Sequence, residues 1–412
     1  MEALNEEEQE LDMHRLKPPT AYASFVSRAA APDISRKQFL RGVAGVGAGI
    51  AVSSLLTACG DRGSETPDAK IRSIADLGKV GGDLGVATFD GLQGGDAIKP
   101  WLAKNKVTLQ FQAINSQQEV TAKLKGAGAK TLDVVEYSPL EGNSYVDLKI
   151  PCFLELDWFP NGHLIRSEFT DLFRQPDGSV SAIPFMFGAS PCNYRPDRVE
   201  TIQSWHDLLD SKFKNRITLI DDALSNVSTA ALALGHEDTS KLTPAQLKEV
   251  GDFLRGLVGQ ARTIAPSYGD MLQLLTSGEV YATFSGWSAM DVFAAQQNAV
   301  VRSAYPKEKV MGTVDAHLIP TTASNPGTAA AFINQFIEPE MQRYVATALG
   351  GGSVRTDSAE VLKGEEGLVF DPNNLDQLFK EKLLFIEAAP LQAKDGYVDR
   401  QAWLDLWERV KA

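Results

Sequence analysis

The sequence has little of what catalysis and cofactor binding rely on. No nucleophile elbow, no metal-ligand motif and no phosphate-cradling glycine loop occurs in its 412 residues. The five histidines (His14, His163, His206, His236 and His317) are scattered, and none falls in the Cys/His/carboxylate spacing of a metal site. No cofactor and no metal are therefore expected. Positive charge is also short: 40 Lys and Arg face 53 Asp and Glu, a formal charge of -13. Such a surface repels a phosphate backbone, which excludes nucleic acid as a partner. It leaves a cationic ligand open. There are only three cysteines, Cys59, Cys152 and Cys192. There is also no long apolar run. The stretch from Val43 to Leu56 carries no charge but is too short and too rich in Gly and Ala to span a bilayer, which takes about 20 apolar residues.

What is present begins with that short run. It follows the basic segment Ser35-Arg36-Lys37-Gln38-Phe39-Leu40-Arg41 and ends in Leu56-Thr57-Ala58-Cys59-Gly60. A basic start, a short apolar stretch and small residues are the layout of a signal peptide. The final five residues resemble a bacterial lipobox, in which the Cys takes a diacylglyceryl group and becomes the new N-terminus. The basic segment resembles a twin-arginine signal with Lys37 in place of the second Arg, so the export route stays open. Residues 1–58 thus read as a leader and 59–79 as the lipidated Cys and a polar, flexible tether. The protein is expected outside the cytoplasm, held to a membrane through Cys59. In that oxidising setting Cys152 and Cys192 leave two equal alternatives, a disulfide or two buried thiols.

Beyond the tether, strand-like and helix-like segments alternate. Strands are expected at 83–88, 107–113 and 132–136, with helices at 96–105 and 116–125, the latter capped by Ser116 with Glu119 three residues on. A second such run has a short helix at 205–213, a strand at 217–220 ending in Asp221-Asp222, and a helix at 226–234. An amphipathic helix at 242–257 starting on Thr243-Pro244 follows, then a strand at 280–284. This order predicts parallel sheets with helices on both faces, and ligand clefts at the carboxyl ends of the strands. The extended segments 182–194 and 313–320 are expected to cross between two lobes. Segments 375–388 and 400–410 read as amphipathic helices, with Trp403 and Trp407 on one face.

Three stretches carry a resemblance. They are Ile183-Pro184-Phe185-Met186-Phe187-Gly188-Ala189, the run from Ser204-Trp205-His206-Asp207 to Asp221-Asp222, and Ser277-Gly278-Glu279-Val280 leading to Gly286-Trp287-Ser288. After them come Tyr305-Pro306-Lys307-Glu308, Asp315-Ala316-His317-Leu318-Ile319-Pro320 and an apolar helix ending at Pro339. Their order resembles the spermidine/putrescine-binding branch of the bacterial extracellular solute-binding proteins of ABC importers, over roughly residues 80 to 360. The resemblance implies an α/β fold of the periplasmic-binding-protein type: two lobes joined by crossing strands, a ligand cleft between them, and closure on binding. Lobe 1 would be 80–190 with 315–350 returning to it, lobe 2 would be 191–314, and 351–412 would be C-terminal helices packed on the lobes. It further implies an ABC permease as partner, a polyamine-like cation as ligand, a monomer and no enzymatic activity.

By position in that resemblance, Asp90, Asp222 and Asp315 would take the ammonium groups, because an ammonium needs acceptors around it. Thr88, Phe89, Tyr137, Ser138, Ser225 and Trp287 would complete the ligand wall. The family's aromatic clamp is largely replaced: Thr88, Gly91 and Gly351 stand where aromatic residues are usual, and Ser225 where a Glu is usual. That departure leaves an opine or amino-acid derivative as a second ligand class, with Arg355 near the cleft for an anionic group. An exported enzyme or a sensor on the same fold is a further alternative. Asp221 and Asp222, adjacent on a strand, face opposite sides and make a poor catalytic pair.

Overall fold

The computed structural model describes residues 72–89, 91–114, 117–141 and 144–412. The readings placed on Cys59, Asp90 and the Ser116 cap lie outside the described residues. From Gly82 the chain builds β1 (Gly82–Phe89), α1 (Lys99–Asn105), β2 (Val107–Ile114), α2 (Gln117–Lys125) and β3 (Val134–Tyr137). β1 runs parallel to β2 along its whole length and to β3 at Val86↔Val134 and Ala87↔Val135. The βαβ order with short connections gives this arrangement. Gly85 is required where it stands: a Cβ there would lie 1.8 Å from the Thr131 carbonyl oxygen.

β4 (Ile183–Ala189) and β5 (Cys192–Tyr194) carry the chain from the first sheet to a second, through Ser190-Pro191. The second sheet is built from β6 (Ile217–Ile220), α3 (Ala223–Ala233), α4 (Pro244–Gln260), β7 (Ala261–Ala265), α5 (Tyr268–Thr276), β8 (Ala282–Phe284), α6 (Met290–Gln296) and β9 (Arg302–Ala304). Its strand order is β7-β6-β8-β5-β9, with β6 parallel to β7 and β8. The start of α4 is fixed by a capping box: Thr243 accepts from the Gln246 N–H at 3.3 Å, and Gln246 Oε1 accepts from the Thr243 N–H at 2.9 Å. α3 is buried along its whole length, so its Ala-rich sequence serves close packing.

The chain returns through residues 305–309 into β10 (Val310–Leu318), then α7 (Pro326–Phe336) and α8 (Pro339–Ala348). The return therefore precedes the segment expected for it; residues 313–320 lie mostly in β10, a strand of the first sheet. β10 pairs antiparallel with β3 and β4. The expected helix over 375–388 is instead α9 (Leu375–Glu381) followed by β11 (Leu383–Phe385), which pairs parallel with Val310–Gly312. The exposed edge of β10 offers Leu383-Leu384-Phe385 backbone partners that outweigh a helical continuation. Likewise 205–213 is two short 3₁₀ turns, because the extended Asp210 caps the second by accepting from Lys212 N–H. α10 (Arg400–Lys411) packs on α3 and α4, burying Trp403 and Trp407. Leu232 of α3, Met311 of β10 and Ile386 form a small apolar cluster joining the second lobe to the first.

Cys152 and Cys192 are not bonded to each other. Cys192 is a free thiol in β5, fully buried, and burial raises its pKa. It behaves as a small apolar side chain.

Candidate functional site

The first group of candidate residues gathers where β1, β3 and β10 meet. β1 and β3 are parallel, so Phe89 and Ser138 leave the sheet at the same edge. β10 then brings Ala316 opposite Tyr137 and His317 opposite Glu136. Thr88 is buried and donates its hydroxyl to the Phe89 carbonyl at 3.0 Å. The Phe89 N–H donates to Glu136 Oε2 at 3.0 Å. Glu136 has no exposed surface, and among the described residues its second oxygen has no hydrogen-bond partner. The half-buried Asp315 faces it from β10. Burial first, and then the Asp315 charge, push the Glu136 carboxyl well above the usual carboxylate range. Burial pushes Asp315 up to about 6. No Lys or Arg acts on either carboxyl among the described residues.

Two residues of this group are tied into the first lobe. Tyr137 is buried in the first lobe's core, stacked on Tyr145 at 4.8 Å and tilted against Phe173 at 5.5 Å. Ser138 is half-buried, and its Oγ accepts from the Leu140 N–H at 3.3 Å, a local turn bond.

The second group gathers at the corresponding edge of the other sheet. Because β6, β7 and β8 are parallel, the segments that follow them emerge together. Asp222 caps α3, accepting from the Ser225 N–H at 2.6 Å. After β8, Ser285 takes a left-handed φ of 52° while fully buried. Its Oγ accepts from Thr229 at 3.0 Å and donates to the Ser225 carbonyl at 3.4 Å. That pair of bonds holds a conformation uncommon for a residue other than Gly just before the half-buried Trp287, whose backbone N–H donates to Asn193 Oδ1 at 2.8 Å. The Trp287 ring lies 6.0 Å from Tyr268 and 5.1 Å from Phe293. Burial, and then the Asp222 charge, raise the pKa of the Tyr268 hydroxyl.

Glu136 and Tyr268 are the two residues that sequence reasoning missed. Glu136 sits one residue before the end of the apolar strand β3, where nothing in the sequence pattern sets it apart. Tyr268 starts the helix after a parallel strand, the placement that marks a cleft residue. Arg355, expected to serve an anionic group, is committed elsewhere. It pairs with both oxygens of Asp357 at 2.7 and 2.8 Å and donates to the Ile337 carbonyl and to Asn161. Two surface cavities of about 460 and 430 Å³ lie at residues 359–373 and beside Glu237–Ser240, and neither includes a residue of the two groups.

Comparison with known proteins places this geometry. The spermidine/putrescine-binding periplasmic protein 1 of Haemophilus influenzae is 23% identical over 332 residues, covering 76% of this chain and 85% of that protein. The spermidine/putrescine-binding periplasmic protein of Salmonella typhimurium is 26% identical over 192 residues, a match spanning 46% of this chain and 54% of that protein. Among solved structures, the spermidine/putrescine ABC transporter substrate-binding protein PotD of Streptococcus pneumoniae superposes with a TM-score of 0.65 at 21% identity, covering 80% of this chain and 98% of that one. The binding protein MotA of A. tumefaciens, solved with glucopine, gives 0.58 at 15% identity, covering 80% of this chain and 100% of that one. At these identities the structural likeness establishes a fold of the periplasmic-binding-protein type, two α/β lobes joined by crossing strands. The profile described as bacterial extracellular solute-binding protein matches residues 96–369, from the turn before α1 to the segment before α9. With both crossings and both candidate groups largely inside that span, the chain belongs to the bacterial extracellular solute-binding proteins.

Proposed function

We propose that this protein captures a small organic cation of the polyamine class and delivers it to an ABC permease. One observation carries the ligand class: the carboxyl of Asp315 lies at the strand-end edge of the first sheet, and among the described residues no Lys or Arg acts on it. A carboxylate without a counter-charge, in a fold that closes on its ligand, is suited to an ammonium. Asp222 offers a second carboxylate, and Trp287 with Tyr268 offers aromatic faces, worth roughly 0.5–2 kcal/mol to a cation. The names of the relatives support the same class. The burial of Arg355 in its own ion pair removes the group that an anionic opine would have used. In this reading the protein is exported, carries lipid on Cys59, acts as a monomer and performs no turnover. The sequence around Cys59 supports the anchor, and mass spectrometry of the N-terminus from cells tests it.

The ligand test is a thermal-shift panel of spermidine, putrescine, opines, amino acids and sugars. A ligand at 100 times its Kd stabilises by about 2.7 kcal/mol. A shift with polyamines supports the reading. A shift with an opine and none with polyamines overturns the ligand class, and turnover of the bound ligand overturns the transport role.

A further inference from the structure

We propose that Glu136 and Asp315 form a two-carboxyl subsite that holds one proton while empty and releases it to solvent when an ammonium group enters. This rests on the cationic ligand class argued above and adds a residue and a coupling to it. The geometry begins with an oxygen that lacks a partner. Glu136 Oε2 accepts from the Phe89 N–H, but Oε1, fully buried, has no donor among the described residues. The group facing it is another carboxyl, which can donate only when protonated. A proton between the two satisfies Oε1, whereas two ionised carboxylates would leave it unpaired beside a like charge.

The groups packed around the pair do not offer another solution. β1 contributes a backbone N–H. On β3, Tyr137 is neutral, its ionisation opposed first by burial. Tyr145, on the helical turn Ser144–Asp147, is likewise neutral, with Glu136 among the charges opposing its ionisation. On β10, His317 lies opposite Glu136 but is stacked 4.1 Å from Phe185, and burial lowers its pKa to about 3, so it brings no positive charge. β4, on the far side of β10, contains no titratable residue. Glu141 and Arg400, the nearby charged pair, compensate each other. Asp90 lies outside the described residues.

The exchange balances. Empty, the subsite is one carboxylic acid and one carboxylate, with charge −1. An entering R–NH₃⁺ turns the acid into a second carboxylate, one proton leaves, and the charge stays −1. The net buried charge is thus the same in both states, and the ammonium's donors replace the lost proton at Oε1. Affinity for cations consequently rises with pH while the empty pair still holds its proton, and levels off above that range.

The test is calorimetric titration of the full chain with spermidine and with putrescine, repeated in buffers of different ionisation enthalpy and across pH. Expected is the release of about one proton per ligand and a gain approaching tenfold in affinity per pH unit below the pair's upper titration. In E136Q, shown to be folded by circular dichroism, the release falls towards zero and the pH dependence flattens. A second readout needs no ligand: the infrared band of a protonated carboxyl should be present at neutral pH, absent in E136Q, and lost on adding spermidine. Binding without proton release, or release unchanged in E136Q, overturns the subsite and leaves the cationic reading standing. Absence of the band in the empty protein also overturns it. No binding of either amine at any pH refutes the cationic reading itself, and the subsite with it.

Discussion

Glu136, in β3, and Glu141, in the turn just after it, lie on one short stretch of chain and both are buried, yet their surroundings are opposite. Glu141 meets the Arg400 guanidinium, which also donates to the Glu141 carbonyl at 2.8 Å and to the Ala389 carbonyl at 3.2 Å. Ser144 Oγ bonds the same carboxylate at 3.3 Å. Glu136 meets another carboxyl. One acid is built into the fold together with its cation, binding the start of α10 to the first lobe. The other meets no counter-charge among the described residues. A buried carboxyl with a partner is architecture, whereas one without a partner is destabilising unless something else supplies the charge.

The largest expected effect breaks the first half of the contrast. Arg400→Met leaves Glu141 buried and unpaired, and should cost about 3–5 kcal/mol in urea unfolding. Replacing both partners, R400M with E141L, should recover most of that loss, because two apolar groups of similar size leave no charge to desolvate. If the single variant costs under about 1 kcal/mol, the pair is not structural.

The next effect has the opposite sign. Glu136→Gln removes a buried acid and keeps an acceptor for the Phe89 N–H. It should stabilise the empty protein by about 1–2 kcal/mol at pH 8, a gain in Tm of a few degrees. The direction follows from linkage. Burial and the Asp315 charge raise the native pKa of Glu136 above its ordinary value of 4.5. The native state therefore binds more protons than the unfolded chain between those two values, and wild-type stability falls as pH rises through that window. The advantage of E136Q should shrink towards zero near pH 4 and grow up to pH 8. A constant difference across pH would mean that the substitution changes packing and not charge.

Much of this frame was legible beforehand, for definite reasons. The alternation around Val107–Ala113 and Ile217–Ile220, and the Thr243-Pro244 helix start, are local signals, and tertiary packing reinforced them. Trp403 and Trp407 were legible as an apolar face, and that face packs on α3 and α4. Asp221 and Asp222 point apart, as expected, although both lie just past the end of β6 at Ile220 and not on the strand. Asp221 accepts from Trp407 Nε1 and Lys411 Nζ, both at 2.8 Å, while Asp222 turns to its helix. What was illegible depends on partners distant in sequence. Nothing near Glu136 announces Asp315, and nothing near Tyr137 announces the stack with Tyr145 and Phe173. The strand at Leu383–Phe385 exists only because β10 has an edge to offer.

The smallest effect decides whether Asp222 belongs with Glu136 or with Glu141. As a cap it has a structural role, since its carboxylate satisfies the Ser225 N–H at the start of α3. As a ligand carboxylate it would act through its charge. Asp222→Ala removes both and should cost about 1 kcal/mol of stability, whereas Asp222→Ser keeps a capping oxygen and should cost only about a few tenths. Both variants lose the charge, so both should weaken spermidine binding by a similar factor, about tenfold or somewhat more for a charge-assisted bond. Splitting stability from affinity in this way separates the two roles within one side chain. Wild-type affinity in D222S would reduce Asp222 to a cap and leave the first-lobe carboxyls to hold the cation. Equal loss in both would give the site a carboxylate on each sheet, so that a diamine could bridge the lobes and favour their closure.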